Sequence, residues 1–416
     1  MEIRRDFYLN ELIRKQHNGF VKVITGLRRC GKSYLLRTIF RNHLLAKGFR
    51  PEQIVEMAFD ERDNRKFCDP DVFYEFAKSK LAGQSEIIFL LDEIQLLDDF
   101  ESVLNGLLGR KAEIYATGSN AKFLSKDIIT EFRGRGDEIH MTPLSFSEYY
   151  AVYNDDKTGR FQEYMLYGGL PPVVLAHLPE DKISILNSLY TETYLRDIVG
   201  RNKIKKAAEL ENLLDILSSA IGSLVNPEKL RNTFRSVKHS SITADTIAKY
   251  IGYLEDAYLL EAAQRYDIKG KAYIETPLKY YYSDLGLRNA RLNFRQLEET
   301  HSMENIIYNE LRHRRFNVDI GKIEVNEKNP NGTYSRKQLE VDFVANKGSK
   351  RYYIQSAYVI PDEEKREQEI RSLLKIDDSF KKIVITSHAP APLYDDHGIL
   401  TMSIYDFLLN PDSLDF

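Results

Sequence analysis

Hydrophobic and polar positions follow two alternating patterns along the first part of the chain. Helical spacing of apolar residues predicts helices over residues 7–15, 34–47 and 70–81. Short apolar or β-branched runs predict strands over residues 21–25, 53–59, 87–91, 113–117 and 139–141. Strands that alternate with helices are typical of a parallel sheet covered by helices, so the pattern predicts an α/β domain.

The first predicted strand leads into a glycine-rich loop and the start of a helix. From Gly26 to Ser33 the chain fits G-x-x-x-x-G-K-[ST], the phosphate-binding P-loop, with every fixed position filled. Gly26 and Gly31 let the backbone curl so that its N–H groups point at an anion. The helix N-terminus adds positive potential. Lys32 is expected to reach the β- and γ-phosphates, and Ser33 to be a Mg²⁺ ligand. The predicted nucleotide contacts are Gly26, Leu27, Arg28, Arg29, Cys30, Gly31, Lys32, Ser33 and Tyr34.

A later apolar strand ends in two acids, Asp92 and Glu93. Buried parallel strands are near-continuous apolar runs, and functional side chains of such sheets lie at the carboxyl ends of the strands. Asp92 is therefore predicted to hold the Mg²⁺ shell together with Ser33. Glu93 is predicted to polarise the attacking water.

Two polar segments that follow the strand at 113–117 supply further candidates. Ser119 and Asn120 are predicted to hold the γ-phosphate or the water, and the alternative is an N-cap for a following helix. Arg135 precedes the strand at 139–141, and an arginine there can stabilise transition-state charge, in cis or from a neighbouring subunit. The alternative for Arg133 and Arg135 is an ordinary solvent-exposed loop.

Length and composition narrow the class of protein. A chain of 416 residues is long enough for two to four domains. With 43% hydrophobic and 29% charged residues it is typical of a soluble globular protein, and its net charge of −3 provides no global attraction to nucleic acid. No apolar run approaches the ~18–20 residues of a membrane span, and the N-terminus lacks the apolar core of a signal peptide. Two cysteines, Cys30 and Cys68, cannot form a disulfide framework, so a cytoplasmic location is predicted.

The order of these motifs resembles the P-loop ATPases of the AAA+ superfamily. More narrowly, TGSNA at 117–121, GR at 134–135, PLSFSEY at 143–149, YGGLP at 167–171 and RDI at 196–198 resemble a prokaryotic AAA-type family. That family carries a C-terminal domain of unknown function, DUF4143. The resemblance implies hydrolysis of ATP, a preference for adenine, and a helical lid in which Arg196 either senses nucleotide or pairs with another charge.

The middle of the chain has the plan of a winged helix. Predicted helices over residues 207–225, 227–234 and 241–255 precede two strand-like segments, 259–263 and 271–275. The exposed face of the third helix is predicted to carry Thr246, Lys249, Tyr250 and Tyr253, and this face could enter a DNA groove. Because it has one lysine and no arginine, contact with DNA and packing against a protein are equally supported.

From about residue 293 the chain resembles the PD-(D/E)xK nuclease fold. A helix over residues 303–311 precedes strand-like stretches at 322–325, 338–345, 351–358 and 382–386. Glu304 and Asp342 stand at two acid positions of that fold, whereas Gln355 and Ala357 replace the second strand acid and the lysine. Glutamine is a poor Mg²⁺ ligand beside a carboxylate, and alanine cannot polarise a nucleophile. The catalytic site is therefore predicted to be lost, and an active metal-dependent nuclease is the less favoured alternative.

These observations predict an α/β protein of four domains. They are an AAA+-type P-loop ATPase core (1–145), a helical lid (146–204), a winged-helix-like domain (205–290) and a degenerate nuclease-like DUF4143 domain (291–416). The predicted function is hydrolysis of ATP with Mg²⁺, coupled to rearrangement of a module that acts on DNA or a protein partner. The alternative is a slow nucleotide-gated switch that binds DNA or protein. An oligomer is compatible with this prediction, and no membrane association is expected.

Overall fold

The computed structural model describes residues 3–82, 86–118, 136–237, 240–328 and 333–416. The chain forms two compact units. The first comprises Met1–Pro143, Leu170–Leu175 and Leu254–Leu259, and the second comprises Leu144–Gly169, Ala176–Tyr253 and Leu260–Phe416. Across the described ranges, no helix has the length and apolar character that a membrane crossing requires.

A parallel five-stranded sheet forms the centre of the first unit. Its strands are β1 (Val21–Gly26), β2 (Ile54–Ala58), β3 (Ile88–Asp92), β4 (Glu113–Thr117) and β5 (Gly136–Met141). Their order is β2-β3-β4-β1-β5, and every neighbouring pair is parallel. All residues of β1, β3 and β4 are buried, as expected for a parallel sheet with both faces covered. The predicted α/β fold is confirmed.

In the described part of the first unit, five α-helices precede or connect these strands. They are α1 (Asp6–Arg14), α2 (Lys32–Tyr34), α3 (Arg41–Ala46), α4 (Pro70–Leu81) and α5 (Phe100–Leu108). A π-helical segment, Leu35–Phe40, joins α2 to α3, and Pro171–Val174 forms a single helical turn. Short 3₁₀ turns occur at Pro51–Gln53, Arg62–Cys68 and Ile94–Leu96.

Helix α4 shows how local sequence produces this arrangement. The Asp69 carboxylate caps it by accepting hydrogen bonds from the N–H groups of Asp71 and Val72, and Pro70 occupies its first position. Its apolar face buries Phe73 and Ala77 in a core cluster that also contains residues of β3 and β4. Full burial of a phenylalanine side chain stabilises a fold by about 1.5–3 kcal/mol, so packing rather than helix propensity holds α4 in place.

A nine-stranded sheet runs through the second unit. Its strands are β6 (Leu224–Val225), β7 (Leu260–Asp267), β8 (Ala272–Tyr282), β9 (Asn317–Lys328), β10 (Tyr334–Lys347), β11 (Lys350–Ala357), β12 (Lys381–Thr386), β13 (Leu393–Tyr394) and β14 (Ile399–Ser403). The order is β13-β14-β12-β11-β10-β9-β7-β8-β6. The pairs β7/β9, β11/β12 and β12/β14 are parallel, and the others are antiparallel.

Helices that lie wholly or mostly in the second unit precede, connect and follow these strands, and the helix at Ala244–Asp256 passes into the first unit at Leu254. They are α6 (Phe146–Tyr153), α7 (Lys157–Tyr167), α8 (Pro179–Ser188), α9 (Arg196–Arg201), α10 (Ala207–Ser219), α11 (Pro227–Val237), α12 (Ala244–Asp256), α13 (Leu285–Arg291), α14 (Glu299–His313), α15 (Glu363–Ile370) and α16 (Ile404–Leu409). A π-helical segment, Leu189–Leu195, joins α8 to α9, and 3₁₀ turns occur at Leu373–Lys375 and Ser413–Asp415.

Helix α12 corrects one sequence prediction. Ile247 and Ile251 are buried, as their helical spacing indicates, and Lys249 is exposed. Tyr250, however, is only 7% exposed, so its prediction as part of an exposed face is wrong. The physical reason is its spacing of three residues from Ile247, which places its large apolar ring next to the buried stripe.

Candidate nucleotide-binding site

The loop between β1 and α2 adopts backbone conformations that favour glycine. Gly26 has a φ of 134° and Gly31 a φ of 104°. A Cβ atom at Gly26 would lie 2.0 Å from the carbonyl oxygen of Met141 in β5, so no side chain fits there. Gly26 is thus required both by the loop conformation and by the close approach of the neighbouring strand.

Lys32 is held inside this loop by the backbone of the loop itself. Its side chain is buried, and its Nζ donates to the carbonyl oxygens of Gly26 at 2.9 Å and Leu27 at 3.0 Å. A lysine ammonium has three rotatable donors. It can therefore exchange these carbonyl contacts for the oxygens of an anion bound in the loop.

The ends of α2, β3 and β4 meet at one carboxylate. Ser33 Oγ donates to Asp92 Oδ1 at 3.0 Å, and the hydroxyl of Thr117 donates to the same oxygen. Asp92 and Thr117 are the last residues of β3 and β4, which are neighbouring parallel strands. The predicted pair of Ser33 and Asp92 is therefore in direct contact, although the residues are far apart in sequence.

These oxygen donors fit a Mg²⁺ ion. Hydroxyl and carboxylate oxygens are the hard ligands that Mg²⁺ prefers, and Mg²⁺ is commonly held by one or two protein groups together with substrate phosphates. Burial raises the pKa of Asp92 above its ordinary value, and the hydrogen bonds from Thr117 and Ser33 act in the opposite direction. Because burial disfavours the ionised carboxylate, a cation beside Asp92 would stabilise its charged form.

Glu93 follows in an uncommon backbone conformation, with φ 53° and ψ 51°. Its N–H donates to Thr117 Oγ1 at 3.0 Å, which fixes the turn after β3. The side-chain amide of Gln95 donates to the Glu93 carboxylate. Sequence reasoning missed the roles of both Thr117 and Gln95. The only local signals were the position of Thr117 at a strand end and that of Gln95 two residues after Glu93.

The other predicted loop residues divide into buried and exposed groups. Leu27 and Cys30 are buried, so their side chains pack inside the first unit. Arg29, with a φ of 67°, and Tyr34 are exposed, and Arg28 is partly buried. The arginines therefore provide positive charge at the surface of the loop.

Several predicted residues cannot be located at this site. Ser119, Asn120, Arg133 and Arg135 lie outside the described residues. Arg196 begins α9 in the second unit. The roles predicted for these residues from sequence stay predictions.

The parallel sheet and the glycine-rich loop together define an α/β domain with a P-loop. Residues 18–150 match the family model described as an AAA domain. Residues 158–298 match a domain of unknown function, DUF8612, so the predicted DUF4143 domain is not confirmed.

The chain belongs to the same family as an uncharacterized protein of Haemophilus influenzae. The two are 35% identical over 414 residues, which cover 98% of each chain. The uncharacterized protein MJ1544 of Methanocaldococcus jannaschii is 28% identical over 409 residues, which cover 93% of this chain and 85% of that relative.

Among solved structures, the Aeropyrum pernix Orc1 protein in complex with DNA aligns with 70% of this chain and 93% of its own. The sequence identity is 11% and the TM-score is 0.30. A TM-score of this size assigns no function to the chain.

Proposed function

We propose that the chain is a Mg²⁺-dependent ATPase. The observation that carries the proposal is the 3.0 Å hydrogen bond between Ser33 Oγ and Asp92 Oδ1. It joins the glycine-rich loop to the acidic end of β3, the two elements that P-loop ATPases use to hold Mg²⁺ and phosphates. A glycine-rich turn that did not bind Mg²⁺ and phosphates would have no need of a buried carboxylate, Asp92, beside Ser33.

Each residue has a distinct proposed role in this reaction. The loop N–H groups and Lys32 hold the phosphates, with Lys32 leaving the carbonyl oxygens of Gly26 and Leu27 to do so. Ser33 and Asp92 hold Mg²⁺, which when bound neutralises charge that develops on the phosphates.

Glu93 is the proposed base that orients and polarises water. Its backbone is fixed by the bond to Thr117, so its carboxylate starts from a defined position beside Asp92. Asn120 and Arg135 complete the proposal from sequence alone, as phosphate sensor and as arginine finger.

The second candidate function is a slow nucleotide-gated switch. It is favoured by the hydrogen bond from Gln95 to the Glu93 carboxylate. This donor occupies an oxygen that a general base needs for contact with water. Hydrolysis would then be slow and would only reset a binding state.

We also propose that residues 207–282 form a winged helix. The order of elements supports this: helix α10, short strand β6, helices α11 and α12, and the hairpin β7–β8, with β6 antiparallel to β8. Lys249 is exposed on α12 and available for phosphate contacts, although one lysine provides little charge. The proposed partner is DNA or a protein, and the module is moved by the ATPase cycle.

A nuclease-like fold is proposed for the C-terminal region. Helix α14, strands β9, β10 and β11, helix α15 and strand β12 follow one another in the order that this fold requires. Within it, β10 and β11 are antiparallel and β11 and β12 parallel. We also propose the four domains with the boundaries predicted from sequence. The proposed location of the protein is the cytoplasm.

The test is steady-state ATP hydrolysis by the wild type and by Glu93→Gln, with and without double-stranded DNA at low salt. Low salt matters because phosphate contacts weaken steeply as salt rises. We expect Glu93→Gln to bind ATP but to lose turnover. Wild-type protein that binds ATP and never hydrolyses it would refute the ATPase proposal in favour of the switch. Stimulation by DNA would identify the partner as DNA, and its absence would favour a protein.

A further inference from the structure

Three carboxylates and one lysine form a cluster in the second unit. Glu304 lies on α14, Glu340 and Asp342 lie on β10, and Lys279 lies on β8. Lys279 Nζ is 2.9 Å from Glu304 Oε1 and 2.7 Å from Glu340 Oε1. Tyr281 donates its hydroxyl to the same Glu304 oxygen at 2.7 Å. The exposed fractions are 3% for Lys279, 5% for Glu304 and 8% for Asp342, so these three are buried together, whereas the Glu340 side chain is 36% exposed and reaches the surface.

Two of these acids, Glu304 and Asp342, were identified from sequence as metal-binding positions of the nuclease-like fold. The strand that follows Asp342 carries the altered positions Gln355 and Ala357. The backbone N–H of Ser356 donates to Asp342 Oδ2 at 2.8 Å, which holds that carboxylate against β11. The acids are therefore arranged around the place where this fold requires a cation. The charge found there belongs to Lys279.

The contacts of Glu304 support a cation at this position. Its Oε1 accepts from Lys279 and from Tyr281, and its Oε2 lies 3.5 Å from His301 Nδ1. A positive group within hydrogen-bonding distance favours the ionised form of a buried carboxylate.

Within the described parts of the chain, no set of three acidic, histidine or cysteine side chains is arranged to hold a metal. In this cluster, Glu304 and Glu340 each bond the Lys279 ammonium group instead. A buried carboxylate pair without a cation is strongly unfavourable. Removal of the lysine would take away the cation that Glu304 and Glu340 share, and Glu304 would keep only the more distant His301, whose Nδ1 is 3.5 Å from Oε2.

We propose that Lys279 is the resident cation of the nuclease-like site, taking the place between Glu304, Glu340 and Asp342 that a divalent metal would need. This makes the C-terminal region a metal-independent module that does not cleave nucleic acid. The inference rests on the proposed nuclease-like fold and is independent of ATP hydrolysis. Its direct consequence is that loss of the lysine converts the cluster into a site for a hard divalent cation, with carboxylate oxygens as ligands.

The test is Mn²⁺ binding to the full-length chain without nucleotide, measured by electron paramagnetic resonance. Lys279→Ala should gain one Mn²⁺ ion per chain, and the gain should be lost when Asp342→Asn is added. Lys279→Arg keeps the cation and is the matched control, expected to gain no ion. If the gained Mn²⁺ ion is lost in Asp342→Asn, it is bound at this cluster and not at Asp92 in the first unit.

Two results would overturn the proposal. One is Asp342-dependent Mn²⁺ binding, or Mn²⁺-dependent DNA cleavage lost in Asp342→Asn, by the wild type. The other is a folded Lys279→Ala that gains no ion. If Lys279→Ala does not fold alone, Mn²⁺ added during refolding should restore it, and failure to do so also contradicts the proposal. ATP binding by the same samples reports on the first unit separately.

Discussion

Thr117 makes a sharp test of how the nucleotide site is held together. Its side chain is fully buried at the end of β4, where its hydroxyl donates to the Asp92 carboxylate and accepts from the Glu93 N–H. Thr117→Val keeps the shape of the side chain and removes both hydrogen bonds. The change therefore isolates the polar contribution from packing.

The expected cost follows from the two bonds. A hydrogen bond to a charged group contributes about 1.5–3 kcal/mol, and a buried donor left unpaired costs about 1–3 kcal/mol. The added methyl group of valine offsets about 0.8 kcal/mol. We expect a net loss of about 2–4 kcal/mol in the free energy of unfolding of the first unit. Turnover should fall about 10–100-fold. This corresponds to a loss of about 1.4–2.8 kcal/mol of transition-state stabilisation, because every 1.4 kcal/mol changes a rate tenfold.

The assay combines denaturant unfolding with steady-state ATP hydrolysis and ATP binding. Thr386→Val is the matched control. Thr386 is buried like Thr117, but it lies in the second unit and its hydroxyl donates to the backbone carbonyl oxygen of His388 at 2.9 Å. The control should lose less stability and no ATPase activity. A Thr117→Val protein with wild-type turnover and stability would refute the claim that Thr117 fixes Asp92 and Glu93.

Three further predictions concern the same unit. Because burial raises the pKa of Asp92 above its value in the unfolded chain, its ionised form opposes folding near neutral pH. Asp92→Asn should therefore raise the unfolding temperature of Mg²⁺-free protein while abolishing hydrolysis, and the gain should shrink as pH falls below that raised pKa. An Asp92→Asn protein that is less stable near neutral pH would contradict this sign. Gly26→Ala should destabilise the protein by more than about 2 kcal/mol, because it adds contact with Met141 to the cost of a positive φ. Gly19→Ala is its control, with a φ of 76° and open space around its Cβ, and an equal loss in both would refute the steric argument. Gln95→Ala should raise ATP turnover a few-fold, because it removes one donor from the Glu93 carboxylate. A fall in turnover would show that Gln95 orients the base instead.

Local motifs allowed part of the site to be predicted. Gly26, Lys32 and Ser33 sit within one short loop whose residue types reflect its chemistry. Asp92 was visible because an apolar strand that ends in two acids follows a complete P-loop along the chain. Thr117 was not visible as a site residue, because its role depends on β4 lying next to β3, and that adjacency is a property of the sheet order.

Lys279 shows the same limit more strongly. It is 25 residues from Glu304 and further from Asp342 along the chain. The residues around it in β8 do not distinguish it from an ordinary strand residue. Sequence reasoning located the acids and the altered positions Gln355 and Ala357 but could not find the charge between them. The one signal was a lysine next to the tyrosines at 280–282, a run that folds into the core.

The continuous sheet of the second unit has a consequence for how this chain can be divided. Strand β7 pairs with β9 through Arg265 and Ile320, Tyr266 and Gly321, and Asp267 and Lys322. A fragment ending near residue 290 would expose the β7 edge, and one starting there would expose the β9 edge. Unprotected strand edges promote aggregation. The hairpin and the strands beyond it are therefore best expressed together, although the proposed domain boundary at residue 290 lies between them.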